Sequence, residues 1–216
     1  MKTKPKKIVL FICLSGLTLL LGVLAIAVSA AYLDRRQAER LLVAFSEISV
    51  GSTDISSALR VTGSFQPHRS EGTVSGFAEW VFHYDNRILF KIGLAPYTSV
   101  EARLVFKDGV VQEKGVTVFV ASGFAAQVTE RKRGFGLPNG IATSEDRPHY
   151  VGFNRNSDTS FRHITVSDDD SYSEKERSVD WVINLDCLTR LGGCRDARSI
   201  LPNALPPSAD LGNSAH

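Results

Sequence analysis

The sequence predicts an α+β fold carried on an N-terminal membrane helix, and three observations predict it. Residues 8–33 hold 21 apolar side chains in 26 and no charge. Residues 34–63 then repeat apolar positions at helical steps. From residue 73 the pattern becomes strand-like, in short runs separated by turn dipeptides. The expected architecture is a transmembrane helix, two helices, a mostly antiparallel sheet of about seven to nine strands, and a short C-terminal turn closed by a disulfide.

As a helix, residues 8–33 extend roughly 39 Å, enough to cross a hydrocarbon core of about 30 Å. Lys2, Lys4, Lys6 and Lys7 make residues 1–7 a cytoplasmic basic segment and direct the remainder outward. A cleaved signal peptide is the competing reading, because Val28-Ser29-Ala30 and Ser29-Ala30-Ala31 are small-residue patterns that permit cleavage after Ala30 or Ala31. The apolar core of about 20 residues exceeds the roughly 7–15 of a signal peptide, which favours an uncleaved signal-anchor. Either way the domain is exported. The sequence disfavours a lipoprotein, since Cys13 follows Leu10-Phe11-Ile12 without the small residue such processing needs, and too little apolar sequence precedes it. The expected location is the inner (cytoplasmic) membrane of a bacterial envelope, single pass, N-terminus inside, with the C-terminal domain periplasmic or extracellular.

Lys and Arg total 25 and Asp and Glu 23, a formal net charge of +2. Residues 34–216 alone carry 21 basic and 23 acidic side chains. That balance disfavours a nucleic-acid binder, which needs a basic surface. With 43% hydrophobic and 22% charged residues, the chain is also unsuited to wholesale disorder.

Within the exported domain, residues 34–202, Leu33, Ala38, Leu41, Leu42, Phe45 and Ile48 recur on one helical face as far as a break at Val50-Gly51. Ser52 or Thr53 is expected to cap a shorter helix with Ile55, Ala58 and Leu59 inward, Asp54 near its positive end and Gly63 as its stop. Residues 66–72 read as a loop. The strand runs are 77–84, 87–94, 100–107, 110–113, 115–121, 124–131, 149–153, 160–166 and 179–185. Asp85-Asn86 and, more strongly, Asp108-Gly109 supply hairpin turns. Residues 130–148, rich in Gly and Pro, form a long irregular loop, and residues 203–216 a disordered tail.

Cys187 and Cys194 are the two cysteines of the exported part. Seven residues apart, they are too distant on a straight helix, but Gly192-Gly193 lets the chain turn back. A structural disulfide is expected in an oxidising compartment.

No motif in the sequence assigns a catalytic, cofactor-binding or metal-binding residue. Gly134-Phe135-Gly136 lacks the third glycine and the βαβ setting of a dinucleotide loop. Asp168-Asp169-Asp170 fails the calcium-loop spacing, with Ser173 at the sixth position and Val179 at the twelfth, and reads as a solvated acidic hairpin tip. His68, His83, His149, His163 and His216 form no paired motif; His83 and His163, both in strands, are candidates to face one another across the sheet. Arg131, Lys132 and Arg133 are the candidate partner-binding residues, as a basic run that suits anionic headgroups or an acidic partner.

The segment Ser49-Val50-Gly51-Ser52-Thr53-Asp54-Ile55-Ser56-Ser57-Ala58-Leu59 resembles the opening of BamE-type small envelope proteins, in which a glycine turn precedes a helix and an antiparallel sheet. The likeness spans about fifteen residues. It departs from that family at Gly63-Ser64-Phe65, where Gly-x-Pro is usual, and in lacking the lipid-attachment cysteine. It implies a scaffold or assembly role without catalysis and transfers no functional residue. The expectation is thus a non-catalytic interaction or scaffold module, its partners the bilayer through residues 8–33 and an envelope protein or a second copy. The alternatives are an exported domain that binds a lipid, glycan or small ligand, and an unrecognised hydrolase, since catalytic residues are often scattered along a chain.

Overall fold

The structure, a computed structural model, describes residues 4–71, 76–135, 149–157 and 160–204. Its first element is a single unbroken helix, α1 (Lys4–Ser46), so the apolar run and the amphipathic helix predicted after it are one rod of 43 residues. No proline or glycine pair interrupts the stretch between them. The apolar window of α1 is wholly exposed, and it is the one helix among the described residues long and apolar enough to cross a membrane. Beyond it Ala38, Leu41, Phe45 and Ile48 enter the core.

Gly51, at φ 81°, turns the chain into α2 (Ile55–Thr62). The N-cap is Asp54 rather than Ser52 or Thr53: its Oδ1 accepts from Ser57 N at 2.7 Å, while Thr53 Oγ1 accepts from Ser49 N at 2.9 Å and belongs to the preceding turn. Gly63 does end the helix. A side chain there would meet Leu59 O at 2.6 Å.

One mixed sheet follows, in the order β1-β2-β3-β4-β5-β7-β6. Its strands are β1 (His68–Glu71), β2 (Phe77–Asp85), β3 (Thr98–Lys107), β4 (Val110–Val120), β5 (Phe124–Arg131), β6 (His149–Ser157) and β7 (Ser160–Asp169). Every neighbouring pair is antiparallel except β5 and β7, which run parallel. The seven strands are fewer than the nine runs predicted. Runs 110–113 and 115–121 are one strand with a register shift opposite Val105/Phe106. Run 87–94 holds the helix α3 (Arg87–Lys91), and run 179–185 begins in the last residues of the helix α4 (Glu174–Asp180) and continues past its end. Residues 68–71, read as loop, pair with β2.

Asp85-Asn86 makes no hairpin because the Asn86 side chain is used elsewhere. It accepts from Thr98 N (2.7 Å) and donates to Pro96 O (3.0 Å), which pins the start of β3 beside α3. Asp108-Gly109 does form the predicted tight turn, with φ of 50° and 80°. The two-residue requirement for positive φ is what made that signal specific.

One face of the sheet carries the core. Phe82, Val100, Leu104, Val116, Val118, Val128, Ile164 and Val166 pack there beneath α1 and the chain that follows α4, including Leu185, Leu188, Ile200 and Leu201. Phe45 meets Phe82 edge-on, with ring centroids 5.9 Å apart. Cys187 and Cys194 are joined, with Cα atoms 5.2 Å apart, and Gly192 and Gly193 turn the loop at φ of 82° and 70°. Arg35 fastens α1 to this segment through Asp186 (2.6 Å).

A second, small cluster joins Ala27 and Ala31 of α1 to Leu89, Leu94 and Ala95. The ends of β2 and β3 next to α3 are therefore the end of the domain nearest the apolar run. The opposite, distal end holds the Asp108-Gly109 turn and the last residues of α1.

Candidate functional site

The apolar rows of the core face end abruptly at the distal end. Val116, Val128, Val166 and Val151 are register partners across β4, β5, β7 and β6. Two residues further along, the same alternation places Lys114, Glu130, Asp168 and His149 in the adjacent row on the same face. A buried polar row thus crosses four strands, and α4 covers it with Arg177 and Asp180. Ser173 caps α4 by accepting from Glu176 N (3.3 Å), with Glu174 and Glu176 near the positive end of the helix.

Burial of charge is costly unless each group is paired and hydrogen-bonded. The first half of the row meets that condition. Lys114 Nζ lies 3.0 Å from Glu130 Oε2 and donates to Phe45 O (3.3 Å) and Ile48 O (2.7 Å) at the end of α1. The Trp181 ring lies 4.9 Å from the same ammonium. Glu130 receives Arg177 Nε at 3.3 Å. Burial pushes the Lys114 ammonium below its ordinary range, an effect that Glu130 opposes.

The second half does not meet it. Asp168 and Asp180, with side chains 0% and 9% exposed, share one histidine. His149 Nδ1 stands 2.7 Å from Asp168 Oδ1 and 3.6 Å from Asp180 Oδ2. Asp168 Oδ2 is buried and has no hydrogen-bond partner among the described residues. Burial pushes the Asp168 carboxyl up to about 6, against the lowering by its hydrogen bond to His149, and burial raises Asp180 likewise. The Tyr172 ring stacks on the imidazole at 4.7 Å. His149 is 31% exposed, so solvent reaches the cluster from one side.

The predicted candidates fall elsewhere. Arg131 points to the opposite face of the sheet, where its Nε meets Glu113 Oε2 at 2.8 Å and Arg103 pairs with the other oxygen. The Lys132 stem lies against Gly51, and Arg133 is the exposed member of the run. Residues 136–148 of the long loop, most of the tail and His216 lie outside the described residues. His83 does not face His163, because β3, β4 and β5 separate their strands; it contacts Asp85 (3.3 Å) instead. Asp168 is no solvated tip. It continues the inward alternation of Ile164 and Val166, and the chain turns only after Asp169.

Comparison with protein-family models, with curated proteins and with solved structures finds no match for this chain.

Proposed function

We propose that the chain is a single-pass inner-membrane protein of a bacterial envelope, N-terminus inside, whose exported domain serves as a non-catalytic interaction or scaffold module. The observation that carries this reading is the continuity of α1 from the apolar run into the core, where Phe45 and Ile48 are fully buried. Such a rod holds the domain in one orientation over the bilayer, which is what a scaffold requires.

The small cluster around Leu89 supports the same reading. Ala27 and Ala31 belong to the apolar run, so α3 sits level with its last two turns. Around that contact Ile88, Phe90, Ile92 and Leu191 are 40–59% exposed, with Arg87 and Lys91 exposed between them. Apolar tips with flanking cations suit the interfacial zone of a bilayer. Cleavage after Ala31 would remove both alanines and uncover Leu89, which favours an anchor over a signal peptide. For a protein partner in the envelope or a second copy, Arg133 and the exposed face of α1 around Val43 offer the accessible surface.

Full-length protein purified from its own membranes tests this. Its intact mass is expected to include residues 1–33, and a photoreactive residue in place of Arg133 is expected to give one discrete crosslinked product. A chain beginning at Ala31 or Tyr32 would refute the anchor. Background crosslinking alone, joined to turnover of a substrate, would refute the non-catalytic module.

A further inference from the structure

We infer that His149, Asp168 and Asp180 form a binding site for one divalent transition-metal ion, with Zn2+ as the simplest probe. One donor atom from each residue lies within 4.8 Å of the other two. Around a tetrahedral ion with bonds of about 2.0–2.2 Å, donors stand roughly 3.3–3.6 Å apart. The 3.6 Å separation of His149 Nδ1 from Asp180 Oδ2 already fits. The His149–Asp168 contact must open by about 0.6 Å to reach that range.

Charge and hydrogen bonding point the same way. Asp168 Oδ2 is a buried acceptor with no donor among the described residues. Lys114 and Arg177, the cations of the same row and its covering helix, are engaged by Glu130 and by backbone carbonyls. Among the described residues the two buried carboxylates therefore share a single imidazole, a deficit of positive charge that a bound cation removes. The donor set selects the class. One imidazole nitrogen and two carboxylates suit zinc and its first-row neighbours, whereas calcium seeks six to eight oxygens. The stacked Tyr172 ring fixes the imidazole plane, and the open side of His149 leaves room for entry and for a water ligand.

The test uses tag-free full-length protein in detergent, stripped with EDTA and titrated with Zn2+ against a chromogenic chelator. One Zn2+ per chain is expected, and Co2+ should give the visible absorption of a low-coordinate site. His149→Ala and Asp180→Asn should each weaken Zn2+ binding at least about 100-fold, the upper end of what an outer-shell change alone causes. Their circular dichroism should match the parent. His83→Ala and His163→Ala should bind as the parent does. Absence of stoichiometric Zn2+, binding that survives His149→Ala in a folded protein, or preference for Ca2+ or Mg2+ would overturn the site.

Discussion

At the distal end of the sheet, Lys114 and Glu130 on β4 and β5 and Asp168 and His149 on β7 and β6 share one register, one face and one covering helix. The first pair is closed: ammonium, carboxylate, guanidinium and the carbonyls of Phe45 and Ile48 meet at hydrogen-bond or ion-pair distances. The second pair is open, with a second carboxylate and a buried oxygen that has no partner among the described residues. Carboxylates of similar burial but unequal satisfaction separate a structural tie from a site. The first half fastens the end of α1 to the sheet, and the second keeps a capacity the apoprotein does not fill.

If that contrast holds, breaking the closed half is the most damaging change. Lys114→Met leaves Glu130 with Arg177 and strips the Phe45 and Ile48 carbonyls, at and just past the end of α1, of this donor, at an expected cost of about 3–5 kcal/mol. Denaturant unfolding in detergent measures it. A loss below about 1 kcal/mol, the range of an exposed pair, would show that the tie is not structural.

The open half should respond with the opposite sign. In chelator at pH 7, Asp168→Asn removes a buried charge and is expected to stabilise the protein by about 1–2 kcal/mol. The folded Asp168 carboxyl sits near 6, above its ordinary 3.8, so the folded state binds this proton more tightly than the unfolded one. The cost of the charge is full above that value and is relieved as pH falls from about 6 towards 4. His149, Asp180 and Glu130 face the group, with Arg177 beyond Glu130. The Asn variant should lose the corresponding part of the pH dependence of stability. A destabilised variant with an unchanged pH profile would remove the distinction between the halves.

The smallest effect is expected where the halves share a support. Ser173 caps the helix that supplies both Arg177 and Asp180. Ser173→Ala should cost about 1 kcal/mol and speed amide exchange in α4. Exchange that stays unchanged in α4 would place its stability in the side-chain contacts below.

Much of the scaffold was legible in the sequence because its signals are local. The uncharged run of α1, the Asp108-Gly109 turn and the Cys187/Cys194 pair with its two glycines each depend on neighbours in the chain. α3 was misread because alternation cannot distinguish a strand from a short helix in which Leu89 alone is buried. α4 was readable and missed: Ser173-Glu174-Lys175-Glu176 has the serine and glutamate of a capping sequence, while the apolar residues of 179–185 drew the strand reading. The inward position of Asp168 follows from extending the Ile164, Val166 alternation by one step. The polar row itself was not legible. It depends on the parallel pairing of β5 with β7, which skips β6, and no short window of sequence contains that register.

The 43-residue helix also fixes a distance. Measured along α1, the Phe45 carbonyl gripped by Lys114 stands about 18 Å beyond Leu33, where the apolar run ends. At physiological ionic strength the Debye length is about 8 Å. Lys114 at the start of the polar row therefore lies about two screening lengths from the end of the apolar run, and the surface potential of a lipid leaflet placed there would fade before reaching it. On the proposed anchor, lipid charge is therefore expected to have little influence on the tie between Lys114 and the end of α1.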